Sequence, residues 1–249
     1  MKLYKPVKDF APGVRIAFSS VDDGSIAAGG GKLSTEQHEQ NADKFLSTYF
    51  GTTNRAKVRV TYDADNTYTH CERVTSQNAN QSIRSDALYT TLDEAVITLP
   101  VADCVATIVY DPQARMLGVL HLGRHSSVAG LIEEFAIEVA DVTGSDPRDW
   151  HVWMSPSLRA PSDRMEYFTP PHPDQWEAYA RKEADGKIHL DITGHNRERF
   201  ERLGVQQSNI YVSPIDTYSD VRYFSQRAAT EQTDSSRSGR MMVAAALTS

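Results

Sequence analysis

The sequence predicts a mixed α/β fold. Three observations lead there: apolar stripes at helical spacing, short strand-like runs interleaved with them, and turn-rich joints that set several of those runs up as hairpins. Frequent hairpins argue for mixed sheets rather than a doubly wound parallel sheet, which needs a long crossover between every pair of strands. At 249 residues the chain is long enough for one large α/β domain. No repeat, charge block or long linker divides it, so residues 1–249 read as a single domain, with the glycine-rich AAGGGK at 27–32 as a mobile loop inside it.

Taken in order, Ser34 and Gln37 have the capping-box pattern, and Ala42, Phe45, Leu46 and Tyr49 then recur on one helical face up to Gly51. KVRVTY at 57–62 alternates like a strand, and DALYTTLDEAVITLPVADC at 86–104 places a turn between two more strand-like runs. VATIVY at 105–110 and MLGVL at 116–120 follow as two apolar strands. The residues between them begin Asp111-Pro112, which suits the first two positions of a type I turn over 111–114. Val128, Leu131, Ile132, Phe135, Ala136 and Val139 form a helical stripe that Gly144 can end. HVWM at 151–154 is a short strand, Pro173 opens a helix containing Trp176, and IHLDI at 188–192 leads into a helix around Phe200 and Leu203 that stops at Gly204. NIYV at 209–212 and RMMVAAAL at 240–247 close the chain as strands.

A net charge of −7 argues against an extended nucleic-acid surface, which needs many Lys and Arg contacts on one face. It leaves room for a small anion held by a few local arginines. No apolar run approaches the ~18 to 20 residues of a membrane span, and MKLYKPVKDFAPG lacks the apolar core of a secretion signal. The expectation is a cytoplasmic protein, a monomer or small homo-oligomer, whose partner is a small molecule and neither nucleic acid nor membrane. Cys71 and Cys104 are the only cysteines, which excludes a disulfide-stapled scaffold.

The two apolar strands at 105–120 carry a reactive residue at each outer end, Cys104 and His121. With a turn at 111–114, Tyr110 faces Arg115, and counting outward sets Cys104 opposite His121. Directly opposed residues have Cβ atoms about 4.5 to 5.5 Å apart, within reach of one metal ion or of a thiolate–imidazolium pair. A one-residue slip would separate their faces, and a buried structural Cys beside a surface His is the plain alternative. Gly123, Arg124, His125, Ser126 and Ser127 then lead into the striped helix, an approach suited to an anion. Its plain alternative is a Ser that only caps the helix and a solvated Arg124.

With these residues assembled, the chain resembles the laccase-domain family of YfiH-type proteins, once labelled multicopper polyphenol oxidases and later described as purine nucleoside phosphorylases. The family's His after a strand, Ala-Asp-Cys and His-Ala-Gly-Trp-Arg appear as Thr69-His70, Ala102-Asp103-Cys104 and His121-Leu122-Gly123-Arg124-His125. Ser85-Asp86-Ala87 resembles the segment ahead of Ala-Asp-Cys, Ser155-Pro156-Ser157-Leu158 resembles Gly-Pro-Ser-Ile, and Leu190-Asp191 with Asn196 resembles Asp-Leu and its following Asn. Phe224-Ser225-Gln226-Arg227 resembles Phe-Ser-Tyr-Arg, and Gly239-Arg240 matches the terminal Gly-Arg. Singly these motifs are short; their shared order and spacing carry the resemblance, which is weakest before residue 40.

The resemblance implies a four-layer α/β/β/α fold with mixed sheets, similar to that of cysteine hydrolases, and a zinc site of His70, Cys104 and His121. Such a donor set suits Zn²⁺ and leaves a fourth position open. It implies phosphorolysis of a purine nucleoside, deamination at C6, or both. Asp103, Cys104 and His121 are then the catalytic candidates; Arg124, His125, Ser225, Arg227 and Arg240 are candidates for phosphate binding and substrate orientation. The departures fall on the chemistry: Trp-Arg becomes Arg124-His125, the second Arg after Phe-Ser-Tyr-Arg becomes Ala228, and the N-terminal Thr-Arg position reads Ser20-Val21. Two alternatives stay open, a cysteine hydrolase with Cys104 as nucleophile and His121 as base, and a non-catalytic zinc-containing binding protein. Copper oxidase chemistry is the weakest reading, because the eight histidines include no His-x-His pair.

Overall fold

The computed structural model describes residues 7–27, 33–93 and 95–248, so most of the glycine-rich 27–32 stretch lies outside the described residues. Strands are numbered in chain order as β1 (Val7–Ala11), β2 (Val14–Phe18), β3 (Ala56–Arg59), β4 (Cys71–Arg73), β5 (Ser82–Arg84), β6 (Ala87–Thr90), β7 (Ile97–Val101) and β8 (Val105–Asp111). They continue as β9 (Met116–Leu122), β10 (His151–Met154), β11 (Arg164–Met165), β12 (Ala180–Lys182), β13 (Ile188–Leu190), β14 (Ile210–Val212) and β15 (Met241–Leu247). The α-helices are α1 (Thr35–Phe50), α2 (Arg124–Ala129), α3 (Leu131–Thr143), α4 (Ile192–Arg202) and α5 (Gln226–Glu231). No helix among the described residues is long and apolar enough to cross a membrane.

Two six-stranded mixed sheets carry the fold, ordered β1-β2-β15-β7-β3-β5 and β14-β10-β8-β9-β6-β4, with a small sheet β11-β13-β12 beside them. Strands β8 and β9 are buried at every position, as continuous apolar runs without alternation require. One set of alternating side chains (Ile108, Tyr110, Leu117, Val119) meets Ile16, Phe18, Leu99 and Val243 of the first sheet. The other set (Val105, Val109, Leu120, Leu122) meets Leu131, Phe135, Val139 and Phe200 of α3 and α4. On the far side of the first sheet Ala17, Met242 and Ala244 pack on Phe45 and Leu46 of α1. The layers therefore run helix, sheet, sheet, helix, as expected.

The helix caps behave as the sequence reading has them. Ser34 Oγ accepts the Gln37 amide at 3.2 Å, Gln37 Oε1 accepts the Ser34 amide at 2.9 Å, and Gly51 ends α1 in the left-handed conformation. The helix expected from Val128 is instead two, because Gly130 takes φ +86 and breaks the stripe between α2 and α3. Pro173–Trp176 makes a single 3₁₀ turn rather than a helix, and the strand expected at 57–62 ends at Arg59.

The hairpin register also needs correction. Asp111 pairs with Met116 and Tyr110 with Leu117, so the loop is Pro112 to Arg115 and not 111–114. Asp111 Oδ1 accepts the Gln113 and Ala114 amides at 2.8 and 3.0 Å, as a turn-opening Asp should, but Arg115 then adopts φ +50 and adds a left-handed step. His121 consequently pairs with Ala106, and Val105 with Leu122; Cys104, one residue further out, stands across from Gly123. The shift is two positions, an even number, so Cys104 and His121 keep a common face.

Candidate active site

Cys104 sits just outside β8 and His121 on β9, where the space between the two sheets opens. A Cβ placed on Gly123 would lie 3.0 Å from Cys104 Sγ, 3.3 Å from His121 Cε1 and 3.6 Å from His121 Nε2, so the thiol and the imidazole converge over a backbone with no side chain. Ser126 fixes that backbone: its hydroxyl donates to the His121 carbonyl at 2.6 Å and accepts the Gly123 amide at 3.0 Å. This commits the Ser126 hydroxyl to structure, and Asn196 Nδ2 donates to Ser127 Oγ at 2.8 Å.

Asp103 takes φ +73, an uncommon conformation for a residue with a side chain. Thr217 Oγ1 donates to its Oδ1 at 2.8 Å, the Arg227 amide donates to its Oδ2 at 2.8 Å, and its carbonyl accepts the Leu158 amide at 2.8 Å. The carboxylate thus anchors the turn that aims Cys104.

Two strands over from β9, past β6, His70 stands immediately before β4. The Asp86 amide donates to the His70 carbonyl at 2.8 Å and the His121 amide donates to the Asp86 carbonyl at 2.9 Å, which sets His70, Asp86 and His121 side by side across the sheet on one face. The His70 ring is exposed, however, with Nε2 at 3.5 Å from Glu72 Oε2. Among the described residues no three His, Cys, Asp or Glu side chains are grouped as a metal site. Asp86 Oδ1 and His121 Nδ1 are both buried without a hydrogen-bond partner.

Burial first, then Asp103 and Asp163, push the Cys104 thiol up to about 12, against the pull of Arg240 and Arg124. Burial, then Arg240 and His125, press the His121 imidazole down to about 4. Both shifts favour the neutral forms of the bare pair, and a divalent cation is the kind of partner that ionises such a thiol.

The arginines divide into two kinds. Arg227 is committed: it reaches Asp163 at 3.2 Å, the Arg164 carbonyl at 2.5 Å and Glu231 at 3.3 Å. Ser225, fully buried, caps α5 by accepting the Ala228 amide at 3.1 Å, and Ala228 is itself core. Arg124 and Arg240 have no carboxylate partner among the described residues. Arg240 donates to the Gly239 carbonyl at 2.8 Å and Gln226 Oε1 at 3.4 Å, and Arg124 to Met165 Sδ at 3.8 Å. Both act electrostatically on Cys104. Exposed His125 stacks on Tyr68 with centroids 4.8 Å apart and planes at 19°, and the edge of Tyr62 approaches it at 6.4 Å. Arg124, His125 and Tyr68 line a groove of about 620 Å³ together with Met165 to Pro171.

The sequence reading missed Tyr62, Tyr68 and Asp163. Burial holds Asp163 up to about 6, with Arg227 and Arg124 opposing. No spacing signals Asp163, because the loop that carries it meets the site only in space. Asp86 entered as part of a motif match, without a role.

Comparison with known proteins adds a family and a fold. Residues 42–248 match the family described as multi-copper polyphenol oxidoreductase laccase. A Bacillus subtilis (strain 168) protein named purine nucleoside phosphorylase YlmD is 25% identical over 222 residues, 82% of this chain and 77% of that one. A protein of an unknown prokaryotic organism named adenosine deaminase RL5 is 31% identical over 133 residues, about half of either chain. Among solved structures, YlmD from Geobacillus stearothermophilus superposes with a TM-score of 0.79 at 16% identity, covering 100% of this chain and 98% of its own.

Proposed function

The chain belongs to the multi-copper polyphenol oxidoreductase laccase family, and from that membership we propose that it is a zinc-dependent enzyme of purine nucleosides, catalysing phosphorolysis, deamination at C6, or both. The observation that carries this reading is the meeting of Cys104 and His121 over Gly123, flanked by two guanidinium groups without carboxylate partners. The names of the relatives supply the substrate class.

Cys104, His121 and His70 would hold the zinc. A thiol and an imidazole are suitable donors, His121 Nδ1 is buried and unpartnered, and the strand row already sets His70 on the same face; its ring has to leave Glu72 to join them. Bound there, zinc would acidify a water or polarise a phosphate oxygen. Arg124 and Arg240 bring positive charge to an anion beside Cys104, and His125 offers a flat neutral face, its pKa lowered by burial and by Arg124. Asp103 orients Cys104, while Ser225 and Arg227 hold α5 and Asp163 in place. Against the alternative of Cys104 as nucleophile stands the burial that raises its thiol and lowers His121, since attack needs the thiolate.

Zinc-loaded wild type and Cys104→Ser, incubated with adenosine and with inosine with and without phosphate, test the reading. Free base and ribose 1-phosphate, or inosine from adenosine, are expected from wild type alone. Full zinc occupancy with no product from either nucleoside overturns it, and amide hydrolysis that iodoacetamide abolishes in metal-free protein would establish the nucleophile instead.

A further inference from the structure

We propose that the groove beside Arg124 takes a purine that carries a phosphate ester, so that a nucleoside 5′-monophosphate binds there in preference to the free nucleoside. The inference rests on the purine reading above and narrows its substrate class.

The groove has the size of a small-molecule site, about 620 Å³ against a usual ~300 to 1,000 Å³. Its lining is largely apolar, with Val128, Met165, Phe168 and Pro170 beside two rings, Tyr68 and His125, that stack on each other. Tyr68 reaches that position through a left-handed backbone, φ +61, secured by its amide donating to Asn66 Oδ1 at 2.9 Å. A tyrosine in that conformation is strained, and here the strain holds a ring against the groove.

Charge distinguishes the ester from the free nucleoside. Arg124 lines the groove and is exposed, and the one hydrogen bond its side chain makes among the described residues is to a thioether sulfur, a weak acceptor. Glu166 is the carboxylate lining the groove, and Lys187 sits 3.3 Å from it and offsets it. A guanidinium with no carboxylate bonded to it among the described residues, and with Asp163 feeling its charge from further off, thus stands at an aromatic slot in a chain whose net charge is −7. A phosphate ester accepts two parallel N–H donors from such a group, whereas a neutral nucleoside offers it no anion. Arg240, whose charge acts on both Cys104 and Tyr62, remains for the phosphate that phosphorolysis consumes.

Calorimetric titration of the full-length, zinc-loaded protein with AMP, adenosine, ribose 5-phosphate and inorganic phosphate tests this. AMP is expected to bind at least about tenfold more tightly than adenosine, the worth of a charge-assisted contact. Arg124→Ala should bring the two affinities together while Arg240→Ala keeps them apart. Tyr68→Ala should weaken AMP and adenosine by the same factor and leave ribose 5-phosphate unchanged. Adenosine binding as well as AMP overturns the proposal and leaves the nucleoside reading standing. AMP binding no more tightly than inorganic phosphate overturns it in favour of a free-phosphate site. Binding of neither adenosine nor AMP to zinc-loaded protein overturns the purine reading itself.

Discussion

Gly123 decides whether Cys104 and His121 can share a ligand. Its φ of −96 is open to any residue, so Gly123→Ala leaves the backbone unstrained and adds only a Cβ 3.0 Å from the Cys104 sulfur. The expected result is at least a tenfold loss of zinc affinity with little change in thermal stability, read by competitive metal titration and by calorimetry. His195 makes a second prediction at this scale. It lies flat on Trp176, centroids 3.8 Å apart and planes at 9°, with both ring nitrogens buried and unpartnered. Burial first, then Arg199, lowers its pKa to about 4. The folded state therefore resists protonation that the unfolded chain accepts near 6.5. Its contribution is complete above about pH 6.5 and is lost as pH falls towards 4, up to ~3 kcal/mol across that window. His195→Phe should flatten that part of the stability profile. Urea unfolding of wild type and variant at pH 7.5 and 4.5 measures the difference, and equal acid losses in the two proteins would show that His195 is not its source.

At the level of elements, the joint between β9 and α3 is tightly packed. Gly118 lies under the ring of Phe135, and a Cβ there would come within 2.4 Å of Phe135 Cζ. Phe135 is fully buried against Trp150 and Tyr89, so the ring has nowhere to retreat. Gly118→Ala should cost about 1 to 3 kcal/mol, the range for overpacking a tight core, measured as a shift in urea midpoint at unchanged slope. Elements written into local sequence were legible: the Ser34 and Gln37 box, the stripe from Leu131 to Val139, and β10 at HVWM. Elements that depend on partners were not. Strands β4 and β5 are three residues long, partly exposed, and ordered by their neighbours across the sheets. Register was missed for a local reason, since neither the Asp-Pro turn signal nor Arg115 itself announces the left-handed φ that lengthens the loop.

Across the whole molecule, the two sheets bring residues 70, 86, 104, 121 and 240 to one opening although up to 170 positions separate them in the chain. The sequence by itself determined the α/β class, the caps, the apolar strands and the identity of the chemical groups, because these follow from periodicity, turn chemistry and residue type. It also set Cys104 and His121 on one face, since alternation survives an even shift of register. Only the tertiary structure decided that Arg227 and Ser225 are bound up in support while Arg124 and Arg240 lack carboxylate partners among the described residues, and that burial raises Asp163 beside Arg227. Which guanidinium meets a carboxylate is settled by loops packed from distant parts of the chain, and burial, which shifts Cys104 and His121 in opposite directions, exists only once the layers have closed.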